Sequence, residues 1–127
     1  MKPAETAANF GLMRVQNFVA LPAPQPAAVL LDRLWPRGIS KIQLAGVLWE
    51  KDATPSTALR QWFHADPDAR FVEFQARFAQ ELQAPVAQAA LARLRAYASS
   101  HAGLQLLTAA KTPERSHLLL LQKTLRA

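Results

Sequence analysis

A chain of 127 residues with a net charge of +6 fits one domain and is long enough to bury a substantial core. Half of its residues are hydrophobic and it has no cysteine, which excludes disulfides, thiolate nucleophiles and cysteine metal sites. No stretch reaches the roughly 18 apolar residues of a membrane span, and no signal-peptide core is present. We therefore expect an ordered cytoplasmic protein without membrane association.

The first predicted elements are two strands. Residues 1–11 are small and polar, so we expect a flexible N-terminus followed by a single domain over residues 12–127. Apolar alternation predicts a first strand over residues 12–20. After three closely spaced prolines, the apolar run 27–31 predicts a second strand that is buried on both faces.

A loop, a short helix and an ambiguous segment are predicted next. Pro36 and Gly38 indicate a loop over residues 34–38. Ser40 is a suitable cap for a short helix that ends near Val47. Residues 48–53 fit either a strand or coil.

Two helices follow in the middle of the chain. The first begins at Thr54 with Pro55, or at Ser56, and the second begins with Asp66 as N-cap and Pro67 as its first residue. The second carries an apolar stripe at spacings of three and four: Phe71, Phe74, Phe78 and Leu82. We interpret this stripe as core packing rather than a cofactor pocket.

The last elements are a helix, a strand and a final helix. Pro85 begins a helix that ends at residues 101–103, and residues 104–109 form a buried strand. One face of this helix is predicted to carry Val86, Ala90, Leu94 and Tyr97. Thr112 and Pro113 begin the final helix. The predicted fold class is α/β: a small single domain with a short, mostly parallel sheet of three to four strands, flanked by four to five helices.

Two separate segments, residues 29–40 and 104–117, each pass from an apolar run into charged, loop-forming residues. If their strands are parallel neighbours, both charged clusters lie at the carboxyl edge of one sheet, where ligand sites of α/β proteins occur. In the second cluster, Lys111, Arg115, Ser116 and His117 lie near a predicted helix start that favours anions. The alternative is ordinary capping with solvated charges.

The first cluster contains Asp32, Arg33, Trp35 and Arg37. Asp32 needs a partner because an unpaired buried carboxylate is costly. It either forms a structural pair with Arg33, Arg37 or Lys111, or it orients a basic residue or serves as a general base. The Arg37 guanidinium suits phosphate or carboxylate, and Trp35 either stacks on a ligand ring or packs under its loop.

His117 is the one imidazole in these two clusters, and it suits acid–base catalysis, ligand binding or a structural hydrogen bond. His64 is interpreted as a helix-end or capping-loop residue. Three dispersed histidines without cysteine give no metal-ligand spacing, so neither a metal nor a cofactor is predicted.

The segments LLDRLWPRGISK, KDATPSTALRQWFHADPDARFVEFQARFAQEL and LLTAAKTPERSH resemble the YeaO-like branch of the domain of unknown function 488 family over roughly residues 12–125. The resemblance implies a small, mostly bacterial, cytoplasmic α/β protein with no established activity. The matching positions are Asp32, Arg33, Trp35, Pro36, Arg37, Gly38, Ser56, Arg60, Trp62, Phe63, His64, Asp66, Pro67, Lys111 and His117. Thr112 and Ser116 depart from the usual acidic residue and asparagine, and Ser116 also replaces the cysteine of longer relatives.

Three functions are compatible with these patterns. The leading hypothesis is a pocket for an anionic small molecule bearing phosphate or carboxylate, with Asp32 and His117 beside the ligand-binding residues Arg33, Trp35, Arg37, Arg60, Lys111 and Ser116. The second is a hydrolase or transferase in which His117 is the acid–base catalyst and Asp32 its orienting partner. The third is a nucleic-acid-associated regulator, favoured only by the positive charge, which also fits a solvated basic surface. The oligomeric state is left open.

Overall fold

Four parallel strands form a sheet in the order β1-β4-β2-β3 in the computed structural model, which describes residues 9–127. Strand β4 lies between β1 and β2, with Leu106 opposite both Leu12 and Val29. The strands are β1 (Asn9–Arg14), β2 (Ala28–Leu30), β3 (Leu48–Trp49) and β4 (Gly103–Thr108). The predicted strands at residues 27–31 and 104–109 are therefore present, and as parallel neighbours they direct their carboxyl ends to one edge.

Five helices complete the described part of the chain, and together with the parallel sheet they confirm the predicted α/β class. They are α1 (Val15–Val19), α2 (Thr57–His64), α3 (Pro67–Glu81), α4 (Pro85–Ser100) and α5 (His117–Arg126). Short 3-10 turns lie at Lys51–Ala53 and Pro113–Arg115. Within residues 9–127, no helix combines the length and apolar character needed to cross a bilayer.

The sheet is covered on both faces. Side chains of β2 alternate between two hydrophobic clusters, because Val29 packs with α2 to α5 while Ala28 and Leu30 pack with α1 and the segment around Leu44. The predicted burial of this strand on both faces is confirmed. The apolar stripe of α3 is also buried in the larger cluster, as predicted: Phe71, Phe74, Phe78 and Leu82.

The start of the domain differs from the prediction. The strand predicted over residues 12–20 ends at Arg14, and α1 begins at Val15. Val15 and Phe18 are both buried, and their spacing of three residues fits a helical face better than a strand. The expected flexible N-terminus falls on residues 1–8, which lie outside the described residues, and on residues 9–11, which belong to β1.

The short helix predicted from Ser40 to Val47 is absent, and this prediction was wrong. The Ser40 hydroxyl does accept a hydrogen bond from the Gln43 amide, as a cap would. The following bonds, however, join residues three apart in successive turns, and Gly46 has a φ of +83°. This left-handed glycine ends the segment before an α-helical turn can propagate.

The face predicted for α4 is partly wrong. Val86 is exposed, whereas the core-facing side consists of Ala87, Ala90, Leu91, Leu94 and Ala98. Small alanines lie on both the buried and exposed sides of this helix, so its sequence pattern marks the face weakly.

The final helix begins later than predicted. Pro113 starts a 3-10 turn rather than the α-helix, and the side chain of Thr112 makes no capping bond. Ser116 then takes an extended conformation and accepts a hydrogen bond from the Leu118 amide, so it is the N-cap of α5. Lys111 and Arg115 consequently lie in the connection between β4 and α5, before the helix.

Candidate functional site

A cavity of about 610 Å³ lies beyond the carboxyl ends of β2 and β4. The connections after these two strands form much of its wall, and the segment before α2, α2 itself and the first half of α3 complete it. All eight site residues predicted from the sequence line this cavity: Asp32, Arg33, Trp35, Arg37, Arg60, Lys111, Ser116 and His117. The geometric convergence expected of the two charged segments is therefore present.

Asp32 is fixed by the end of strand β4. Its Oδ1 accepts a hydrogen bond of 2.6 Å from the Thr108 hydroxyl, and its Oδ2 accepts one of 2.7 Å from the Ala109 amide. The structural pair predicted with Arg33, Arg37 or Lys111 is not present among residues 9–127, so that prediction was wrong. The carboxylate instead joins the loops after β2 and β4 through neutral donors.

His117, the first residue of α5, is buried beside this carboxylate. Its Nε2 donates a hydrogen bond to the carbonyl oxygen of Leu31 and lies 3.6 Å from Asp32 Oδ1. The ring edge packs on Phe78, with ring centroids 6.2 Å apart. These contacts fix the ring plane and place the proton of the neutral imidazole on Nε2.

Burial dominates the electrostatics of His117 and lowers its pKa. The negative charge of Asp32 and the Leu31 carbonyl act in the opposite direction by stabilising the cation, while the positive charge of Arg60 and the neighbouring His64 add to the lowering. His117 is thus neutral at pH 7, with groups in place that stabilise the imidazolium when it forms.

This buried histidine makes a pH dependence of stability predictable. Because the pKa of His117 is lowered by folding, the unfolded chain takes up a proton more readily. The free energy of unfolding should therefore fall as pH drops from about 7 through the ordinary histidine pKa of about 6.5. Urea unfolding at pH 7.5 and 5.5 measures this loss.

The matched comparison uses two glutamine variants. In His117→Gln, the pH-dependent loss should be smaller than in the wild type, since the amide can still donate to Leu31 but does not titrate. His101→Gln alters an exposed histidine near the end of α4, outside the cavity, and should keep the wild-type dependence. The same pH dependence in all three proteins would contradict the assigned burial of a neutral His117.

Three of the predicted ligand-binding residues have structural contacts. Arg33 donates to the carbonyl oxygens of Pro55 and Thr54, both at 3.0 Å, and so ties its loop to the segment before α2. Trp35 donates to the Ile39 carbonyl and packs edge-on against Trp49. The Ser116 hydroxyl donates to Pro113 and caps α5. These three side chains border the cavity while holding its walls.

Arg37, Arg60 and Lys111 differ from those three residues. None of them forms a side-chain hydrogen bond or a salt bridge within residues 9–127. Arg37 and Lys111 are exposed at the cavity, whereas Arg60 is half-buried. The Nε of Arg60 is fully buried and has no hydrogen-bond partner among the described residues. The cavity therefore holds positive charge that the described residues leave without a counterion.

Two further residues line the cavity: His64, which was not predicted as a site residue, and Arg115, which was named in the second charged cluster but not among the pocket residues. His64 is the last residue of α2, as its interpretation as a helix-end residue requires, but it also faces the cavity. Its pKa is lowered by partial burial and by Arg60, which lies one helical turn earlier. Arg115 lines the cavity with its guanidinium 4.6 Å from the centre of the Phe71 ring. Arg60 and His64 are four residues apart and therefore lie on one face of α2, and this spacing was the sequence pattern that could have identified His64 as a site residue.

Comparison with known proteins agrees with the resemblance noted above. The sequence profile described as Domain of unknown function DUF488 matches residues 14–125. The chain is 40% identical to uncharacterized protein YeaO of Escherichia coli over 100 residues, covering 78% of this chain and 83% of the relative. It is 38% identical to uncharacterized protein Rv3073c of Mycobacterium tuberculosis over 97 residues, covering 76% and 78%. No solved structure matches the chain.

Proposed function

The chain belongs to the DUF488 family, and on that premise we propose that its cavity binds a small anionic ligand bearing phosphate or carboxylate. The ligand lies at the carboxyl edge of the sheet, between the connections that follow β2 and β4. The bacterial relatives carry no named activity, so the proposal depends on the chemistry of the site.

The observation that carries the proposal is the guanidinium of Arg60, which lines the cavity, is half-buried and has no side-chain hydrogen bond or salt bridge among the described residues. A buried donor without an acceptor is destabilising by about 1–3 kcal/mol, and more when the group is charged. A bound anion in the cavity supplies the missing negative charge and accepts hydrogen bonds from the terminal N–H groups of this guanidinium, whereas Nε itself is enclosed by protein. The planar fork of a guanidinium suits the paired oxygens of phosphate and carboxylate.

The charges of the remaining wall support the same ligand class. Five basic side chains line the cavity against two carboxylates, those of Asp32 and Asp68. Both oxygens of Asp32 already accept hydrogen bonds from Thr108 and Ala109, so this carboxylate is occupied by the protein. A volume of about 610 Å³ is ample for a metabolite-sized ligand.

Titration of inorganic phosphate by isothermal calorimetry tests the proposal. We expect saturable binding by the wild type and at least about tenfold weaker binding by Arg60→Ala, since a charged hydrogen bond contributes about 1.5–3 kcal/mol and 1.4 kcal/mol is tenfold. The double variant Arg37→Ala/Lys111→Ala should also bind about tenfold more weakly, through loss of two exposed charges.

A charge-matched control distinguishes binding at the cavity from general electrostatic attraction to a basic protein. Lys41 and Arg126 are exposed and lie outside the cavity, so Lys41→Ala/Arg126→Ala removes the same charge as the double variant. It should keep wild-type affinity within about twofold, because distant surface charges are screened. Equal weakening in both double variants, or an unaffected Arg60→Ala, contradicts the proposed pocket.

A further inference from the structure

We infer that this cavity hydrolyses phosphate monoesters by acid–base catalysis between two histidines, with His117 as the base and His64 as the acid. The inference rests on the proposed function, because the basic residues of the wall must first hold the phosphate. It goes further by assigning a reaction, a substrate class and a role to His64.

The base is defined by how His117 is held. Its Nε2 proton is directed at the Leu31 carbonyl, with Asp32 Oδ1 3.6 Å away, so the lone pair of the neutral ring is on Nδ1. Within residues 9–127, Nδ1 makes no hydrogen bond, and the ring lines the cavity. Nδ1 is therefore free to accept a proton from a water molecule in the cavity.

Asp32 is a positioning residue in this arrangement. Its carboxylate is locked by Thr108 and Ala109, so it does not move when His117 changes charge. It stabilises the imidazolium that forms during the reaction without receiving the proton itself. A base that is neutral at rest and stabilised as a cation is suited to general-base catalysis.

The acid reaches the same cavity from a different element. His64 ends α2, is exposed, and packs its ring against Phe63 with centroids 5.5 Å apart. His117 comes from the start of α5, so the two imidazoles approach the ligand space from separate parts of the wall. Arg60 influences both and is available to hold the phosphate near them.

The proposed reaction is displacement of an alcohol from phosphorus by water. A water oxygen forms a bond to phosphorus while one of its protons passes to Nδ1 of His117. The bond from phosphorus to the ester oxygen breaks, its electron pair stays on that oxygen, and the proton of His64 neutralises it as an alcohol. The products are the alcohol and inorganic phosphate, and proton exchange with water restores both histidines.

The protonation states set the expected pH profile. Burial lowers the pKa of both histidines. The pH range in which His117 is neutral and His64 is protonated is therefore acidic rather than neutral. The other charged groups that line the cavity with them are Asp32, Arg33, Arg37, Arg60, Asp68, Lys111 and Arg115. We expect a bell-shaped dependence of kcat/KM on pH, with its maximum below pH 7.

Two substrates that differ in their leaving groups test the assignments. Phenyl phosphate has a poor leaving group and needs an acid, whereas 4-nitrophenyl phosphate has a good one. His117→Gln should lower kcat for both substrates by about 100-fold or more, the usual contribution of a general base. His64→Gln should do so for phenyl phosphate and change kcat for 4-nitrophenyl phosphate by less than about fivefold.

The controls separate catalysis from folding, binding and contamination. His101→Gln should keep wild-type turnover, and both cavity variants should still bind inorganic phosphate within about threefold of wild type. Turnover that survives His117→Gln, or equal losses on both substrates in His64→Gln, overturns the inference. Phosphate binding by the wild type without hydrolysis of either ester between pH 5 and 8 overturns the reaction and leaves the anion site standing, whereas absent phosphate binding removes both.

Discussion

Replacement of Phe78 by alanine is expected to lower the free energy of unfolding by about 3–5 kcal/mol, the usual cost of removing a buried phenylalanine. The side chain is fully buried in the larger hydrophobic cluster. It stacks against Phe74 at 6.0 Å between ring centroids and supports the ring of His117. This stripe packs α3 against α2 and α5, so the cavity left behind cannot close without moving the helix.

Denaturant unfolding of Phe78→Ala measures this loss directly. Val72→Ala is the matched control because Val72 is on the same helix and is 80% exposed. Its effect should stay within about 0.5 kcal/mol, as for other surface substitutions. A Phe78→Ala protein that loses less than about 1 kcal/mol would contradict the assigned packing of α3.

Asp32→Ala is the second substitution with a large expected effect, a destabilisation of about 2–4 kcal/mol. The alanine removes the acceptor for both the Thr108 hydroxyl and the Ala109 amide, and each hydrogen bond to a charged group contributes about 1.5–3 kcal/mol. The loops after β2 and β4 lose their link, and His117 loses the neighbouring charge. Thermal and denaturant unfolding both report the change.

Asparagine at the same position provides the graded control. Asp32→Asn keeps one acceptor oxygen, so its loss should fall between those of wild type and Asp32→Ala. Thr108→Val removes only one of the two donors, and combining it with Asp32→Ala should cost less than the sum of the single changes, because the two residues interact. Additive losses would show that the carboxylate does not hold the two loops together.

The parts of the fold that were predictable have strong local periodicity. The stripe from Phe71 to Leu82 repeats at helical spacing and is buried as expected. The apolar runs of β2 and β4 are followed by segments with charged residues, which marked the edge where both strands end. That pairing brought seven of the eight predicted residues to one cavity, and Arg60 reaches the same cavity from α2.

The errors lie where neighbouring structure overrides a local pattern. The sequence after Arg14 alternates weakly, and tertiary burial of Val15 and Phe18 makes it helical. A proline after threonine resembles a helix start at Thr112, but the extended backbone of Ser116 delays α5 by four residues beyond Pro113. Short elements of this kind are decided by packing rather than by their own sequence.

His64 shows the corresponding limit for the site. Its position at the end of α2 was evident, yet its place in the same cavity as His117 depends on tertiary packing that the local sequence does not specify. The partners of Asp32 were equally hidden, because a threonine hydroxyl and a backbone amide contributed by the end of β4 leave no charge pattern in the sequence. Charged residues without an ion-pair partner were therefore easier to identify from the sequence than the neutral groups that hold the site residues in place.

The most direct test of the anion site is an NMR titration of the ¹⁵N-labelled protein with inorganic phosphate. Saturable amide shifts should concentrate in residues 109–117 and around Arg37 and Arg60, with one common dissociation constant, and should disappear together in Arg60→Ala. Shifts that instead spread over basic residues outside the cavity, such as Lys41, Arg93 and Arg126, or that never saturate, would contradict a phosphate-binding cavity at this edge of the sheet.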